Sequence, residues 1–85
     1  MREAFEVRSV RDLILLWGDT PQQAYEAMAA DLGEPRADHV PRDWARRGSI
    51  PAARIDAVVN AAQKRGFHDV THAFVLRLVS IGASA

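Results

Sequence analysis

The chain has 85 residues, with 11 basic against 11 acidic side chains and no cysteine. This length suits one domain with a single modest core, and 48% hydrophobic with 26% charged residues excludes a disordered chain. Without cysteine there is neither a disulfide framework nor a thiolate metal site. The longest apolar run, LILLW, is far shorter than the ~20 residues of a membrane span, and the start MREAFEVR lacks the apolar region of a signal peptide. We therefore expect one cytoplasmic domain over residues 1–85.

The net charge of zero conceals an uneven distribution along the chain. Residues 1–34 hold three Arg against seven Asp or Glu, residues 35–54 five Arg against two Asp, and residues 55–85 three bases against two acids. The three parts therefore carry −4, +3 and +1. A local basic block on a neutral protein is compatible with docking on phosphate, although an arginine-rich helix face can also be no more than solvated.

The hydrophobic pattern predicts five helices and no strand, beginning with two short helices. Ser9 opens a Ser-x-x-Asp start that resembles a capping box, and the first helix should end at Gly18. Thr20 is a good cap for the second helix, with Pro21 at its first position. This helix should run to Leu32, where Gly33 supplies a left-handed residue for the turn.

The third helix is predicted to begin near residue 38 and to carry the basic block. Asp38 is a plausible N-cap, which puts Pro41 in the first turn. Val40 and Trp44 are four residues apart and share a face, so both should reach the core. For Trp44 we expect a core position rather than a base-stacking platform. Gly48 should end the helix.

The last two helices follow short connections. Ser49 should start the fourth, with Pro51 in its first turn, and its apolar residues recur at helical spacing to Gly66. Thr71 should cap a final helix over about residues 71–82. Its apolar residues form one stripe: Phe74, Val75, Leu78, Val79. The stripe either closes the core or pairs two copies of the chain, and we slightly favour the homodimer.

Residues 20–47 form a predicted helix pair with a glycine-containing turn and a basic second helix. This pattern is typical of the helix-turn-helix. A small residue, Ala29, lies four before Gly33, and Val40 and Trp44 follow on the second helix. The stretch WARRGSIP (44–51) resembles the "W…RG.IP" passage of Cro/CI-like helix-turn-helix DNA-binding domains of phage repressors and related bacterial regulators. The resemblance covers about residues 9–66.

The resemblance implies a compact all-α bundle that binds double-stranded DNA. It places a recognition helix, about residues 38–47, in the major groove, and implies a transcriptional regulator that acts as a symmetric dimer on half-sites. Val40 lies seven residues after Gly33 and Trp44 eleven, each further than the family's usual spacing, so a longer turn is expected.

Eight side chains are candidate DNA contacts: Arg36, His39, Arg42, Asp43, Arg46, Arg47, Gln22, Tyr25. The arginine fork matches guanine O6 and N7 or a phosphate. Asp43 could orient Arg42, accept from cytosine N4, or be merely exposed. Gln22 and Tyr25 lie at the amino-terminal end of the second helix, where a phosphate is often held.

The sequence offers little support for a metal site or an enzyme. His68 and His72 are four residues apart, but neither cysteine nor glutamate joins them, so neither a metal nor a cofactor is expected. No glycine-rich phosphate loop or nucleophile–base spacing is visible, and an enzyme is not expected. The alternative to DNA binding is a helical protein–protein interaction module whose arginine-rich helix binds an acidic partner protein.

Overall fold

The computed structural model describes residues 7–84, with side chains through Ser80. Within that range the chain forms five α-helices and no strand, so the predicted all-α class is confirmed. The elements are α1 (Val10–Ile14), a 3₁₀ turn (Leu15–Trp17), α2 (Pro21–Asp31), α3 (His39–Arg47), α4 (Ala52–Lys64) and α5 (His72–Ser84). Residues 1–6 and 85 of the predicted domain lie outside the described part.

Hydroxyl side chains cap three of the helices, as predicted. Ser9 Oγ accepts a hydrogen bond from the backbone N–H three residues later at 3.1 Å. Thr20 Oγ1 and Thr71 Oγ1 do the same at 3.2 Å each. Each hydroxyl satisfies one of the amide groups that a helix start leaves without a partner.

Asp38 does not act as the predicted side-chain cap. Its backbone is already helical, with φ −61° and ψ −21°, and its side chain makes no hydrogen bond to the first turn of α3. The carboxylate instead accepts hydrogen bonds from the side chains of Gln22 and Arg42. A capping residue usually has an extended backbone, which aims its oxygen at those amides.

The fourth helix begins later than predicted. Pro51, not Ser49, is the residue that precedes α4, and the helix starts at Ala52. The backbone of Pro51 is not helical, with φ −56° and ψ 140°, so Ser49 and Ile50 before it lie outside the helix. Ile50 is nearly fully buried and joins the core from the connecting segment.

A single hydrophobic core joins the helices within the described part of the chain. α3 packs against α1 and α2, while α5 packs against α4 and α1. The largest fully buried side chains come from each of these helices and from the connecting segments: Val10, Leu13, Ile14, Met28, Pro41, Ile50, Val58, Val70, Val75. The second and third helices are thereby held side by side, with the seven residues 32–38 between them.

A polar clamp joins the end of α2 to the segment that follows α4. The Trp17 indole Nε1 donates to Asp31 Oδ2 at 2.8 Å, and Arg65 donates to both oxygens of the same carboxylate. The Trp17 ring also meets Phe67 edge to face, with centroids 5.5 Å apart. The Arg65 hydrogen bond holds the pKa of Asp31 below its usual value, with a smaller contribution from Trp17.

The apolar stripe of α5 is divided between the core and the surface. Val75 and Leu78 are buried in the core of the chain itself, at 0% and 3% exposure. They are therefore not available to a second copy, so the prediction that the stripe pairs two copies is wrong for these two residues. Phe74 and Val79 are partly buried, and Leu76 is 47% exposed. None of the helices in residues 7–84, α5 included, is long and apolar enough to cross a membrane.

We predict that Gly18→Ala destabilises the fold more than Gly33→Ala. A Cβ at Gly18 would lie 2.6 Å from the backbone nitrogen of Ala24, which cannot move without displacing α2. We expect a loss of about 3 kcal/mol in the free energy of unfolding. At Gly33, φ is +84° and nothing lies within 4 Å, so only backbone strain of about 1–2 kcal/mol is expected. Urea titrations of both variants test this, and equal losses would contradict the close approach at Gly18.

A second prediction concerns α5. Val75→Glu places a charge in the core and should unfold the domain at any protein concentration, with a loss of about 4 kcal/mol or more. Leu76→Glu, one residue along and exposed, is the control and should change stability by less than about 0.5 kcal/mol. Circular dichroism and sedimentation of both variants give the readout. A folded, monomeric Val75→Glu protein would place Val75 at an interface between copies instead.

Candidate nucleic-acid interface

The third helix has one side in the core and the other in solvent. Its inner side chains are buried: Pro41, Trp44, Ala45. Trp44 is only 5% exposed, so it is a core residue, as expected, and offers no stacking surface. Gly48 ends the helix with φ +69°, and its N–H bonds to the Trp44 carbonyl at 2.8 Å. Because this side is buried, the basic residues at the other positions of α3 point outward.

Three arginines dominate the outer side of α3. The exposed fractions of their side chains are 49% for Arg42, 76% for Arg46 and 67% for Arg47. Arg36, in the turn, and His39, at the start of the helix, are exposed as well. We call these five residues the basic surface.

The first turn of α2 contacts this surface through Arg42. Arg42 Nη2 donates to Asp38 Oδ2 at 2.7 Å and to Gln22 Oε1 at 2.8 Å. Gln22 Nε2 in turn donates to the same Asp38 oxygen at 2.8 Å, which closes a ring of three hydrogen bonds. The guanidinium carbon of Arg42 lies 5.7 Å from the centre of the Tyr25 ring, within cation–π range. We call these four residues the Arg42 cluster.

Asp38 is the residue of this cluster that the sequence analysis missed as a site residue. The hydrogen bond from Gln22 and the charge of Arg42 hold the pKa of Asp38 below its usual value, so the carboxylate is ionised at neutral pH. Its spacing of four residues before Arg42 is the signal that could have found the pair, because side chains four apart on a helix meet.

Asp43 pairs with the other two arginines and not with Arg42. Arg46 Nη2 donates to Asp43 Oδ1 at 2.7 Å, and Arg47 Nε lies 3.1 Å from Asp43 Oδ2. Of the three alternatives open for Asp43, the structure therefore contradicts the one in which it orients Arg42. Adjacent residues on a helix point in different directions, whereas residues three and four apart are neighbours on its surface.

The ion pairs leave the basic surface positive but reduce its charge. Four Arg and the two Asp of this region, Asp38 and Asp43, sum to +2 with histidine neutral. Exposed ion pairs contribute little to stability, so a phosphate can displace Asp43 from Arg46 or Arg47 at little cost. The arrangement suits recognition of an anion or of the acceptor edge of a base.

The structure brings the predicted site residues together in two groups. Gln22, Tyr25 and Arg42 contact one another in the Arg42 cluster, and Asp43, Arg46 and Arg47 form the second group. Arg36 and His39 lie on the same stretch of chain, but no hydrogen bond or ion pair within residues 7–84 links their side chains to either group.

His68 and His72, the two histidines that are four residues apart, each lie beside another side chain. His68 Nδ1 lies 3.4 Å from Gln63 Oε1, and His72 Nδ1 lies 2.9 Å from Asp56 Oδ1. In the part of the chain that the structure describes, no three or more His, Asp or Glu side chains are grouped as metal ligands.

No family model, no curated protein and no solved structure matches this chain. The resemblance to Cro/CI-like domains rests on the sequence motifs quoted above.

Proposed function

We propose that the protein binds double-stranded DNA in a sequence-specific way, as a small transcriptional regulator of phage or bacterial type. The observation that carries this proposal is the construction of α3. Its inner side is buried and its outer side presents Arg42, Arg46 and Arg47, beside the first turn of a second helix. This is the arrangement that a helix-turn-helix requires of its recognition helix.

The size of α3 supports docking in the major groove. A helix such as α3 is about 10–12 Å across with its side chains, and the major groove is about 12 Å wide and admits it. The amino-terminal half of such a helix approaches the base edges. His39 and Arg42 stand in that half, while Arg46 and Arg47 stand in the last turn, where phosphates are within reach.

The start of α2 supplies a second anchor for the DNA backbone. Helix amino termini attract phosphate through free amides and the helix dipole. Gln22 is exposed in that first turn and is hydrogen-bonded to Arg42, so α2 and α3 present one continuous polar surface. In this proposal Gln22 and Tyr25 border the phosphate backbone, and Arg36 extends the same contact from the turn.

A symmetric dimer on two half-sites belongs to the same proposal. With Val75 and Leu78 inside the core, the pairing surface would consist of the outer part of α5: Phe74, Leu76, Val79.

The alternative is an acidic partner protein in place of DNA. Two observations favour it: the net charge of zero and the seven-residue turn between α2 and α3, which is longer than the usual three to four residues. The carboxylates of such a partner would pair with the same arginines as the phosphates of DNA. The two functions therefore differ in which of these ligands the surface binds.

The test is selection of bound sequences from a random duplex pool, followed by affinity measurements at several salt concentrations. We expect a selected site and a log–log salt slope of about −0.9 per phosphate neutralised. Arg42→Ala should weaken binding to that site by about 1–3 kcal/mol and relax preference at one base position. Arg47→Ala should weaken all DNA binding evenly and reduce the slope by about 1.

Arg77→Ala is the matched control, because Arg77 is an exposed arginine on α5 and should leave affinity, preference and slope unchanged. If the wild-type chain selects no sequence and shows no salt dependence on DNA, the proposal fails. If that protein instead binds a poly-glutamate peptide, the result favours the acidic partner protein.

A further inference from the structure

We propose that Asp38 is a specificity-determining residue of the DNA interface, acting in two ways. Together with Gln22 it positions the Arg42 guanidinium, and its negative charge opposes tight binding of DNA of arbitrary sequence. The inference rests on the proposed function and goes beyond it, because it assigns selectivity to an acidic residue on a basic surface.

The hydrogen bonds of Arg42 fix one end of its fork. Both the Asp38 and the Gln22 bonds run to Nη2, which has two hydrogens and is thereby fully used. The Tyr25 ring lies against the guanidinium at 5.7 Å. The N–H groups of Nη1 and Nε have no hydrogen-bond acceptor within the described residues, so the side chain is held in place while donors remain for an outside ligand.

The Asp38 carboxylate is held in the same way. Its hydrogen bonds with other side chains all use Oδ2, which leaves Oδ1 with the capacity to accept from outside. The pair thus offers arginine donors beside a carboxylate acceptor. A G·C base pair presents the complement in the major groove, with acceptors at guanine O6 and N7 beside the cytosine N4 donor. We therefore assign a G·C pair as the preferred partner of the Arg42 cluster.

The charge of Asp38 sets the cost of binding without that base pair. A carboxylate among the arginines repels phosphates that approach within a Debye length, about 8–10 Å at moderate salt. On the preferred sequence, contacts to the base pair offset this repulsion. On other sequences nothing offsets it, so the difference in affinity between the two grows.

Asp43 provides an internal comparison. It carries the same charge and lies in α3, which Asp38 directly precedes, but its partners Arg46 and Arg47 make no other side-chain hydrogen bond or ion pair in the described residues. Asp43 therefore reduces the charge of the basic surface without fixing an arginine against α2. Loss of either aspartate should strengthen nonspecific binding, whereas only loss of Asp38 should weaken selectivity.

The experiment compares Asp38→Ala and Asp43→Ala with the wild type on the selected duplex and on a random duplex. Both variants should bind the random duplex roughly two- to tenfold more tightly, since each removes one negative charge. Asp38→Ala alone should lower the ratio of selected to random affinity by roughly tenfold or more and relax the preference at one G·C pair. Asp43→Ala should keep the ratio within about threefold.

Two further variants separate positioning from charge. Gln22→Ala should lose preference at the same base pair as Asp38→Ala, without the gain in nonspecific affinity that loss of the Asp38 charge produces. Asp38→Asn keeps an acceptor for Arg42, and should raise nonspecific affinity while retaining most of the preference. Because Asp38 makes no capping bond, all four proteins should keep the wild-type helicity by circular dichroism.

An Asp38→Ala protein whose affinity ratio matches that of Asp43→Ala overturns this inference and leaves the proposed function intact. The same holds if Gln22→Ala and Asp38→Ala relax different base pairs. A wild-type chain that selects no DNA sequence removes both the function and the inference.

Discussion

Burial of one side of α3 is the constraint on which the arrangement of this surface depends. Trp44 lies in the core with Pro41 and Ala45, and truncation of a buried aromatic residue typically costs about 3–5 kcal/mol. No rotation of the helix can turn its arginines inward without losing these contacts. The outward direction of Arg42, Arg46 and Arg47 is therefore a consequence of packing, and not of the charges themselves.

The polar groups of the basic surface orient its side chains more than they stabilise the fold. Exposed ion pairs add little to the free energy of folding, yet the ring formed by Arg42, Asp38 and Gln22 joins residues of two helices. A ligand that meets this ring meets α2 and α3 at once. The pair formed by Asp43 with Arg46 and Arg47 stays within one helix, and its arginines are free to exchange the carboxylate for another anion.

The size of the domain also shapes the role of α5. A chain of 85 residues has few large apolar side chains, and the core takes Val75 and Leu78 from the stripe that would otherwise pair two copies. α5 contacts both α4 and α1, so its buried residues complete the core of the chain itself. Any pairing of copies through α5 has to use residues outside the core, such as Leu76, which is 47% exposed.

The sequence alone determined the helices and most of their boundaries, because a capping bond such as that of Thr20 and a turn such as that at Gly33 involve residues only a few positions apart. It also determined that Trp44 is buried, from the period of one helix. Only the tertiary structure decided that Gln22 meets Asp38, sixteen positions away, and that Val75 turns inward. Such contacts depend on how whole helices pack, and helical periodicity shows which residues share a face but not what that face meets.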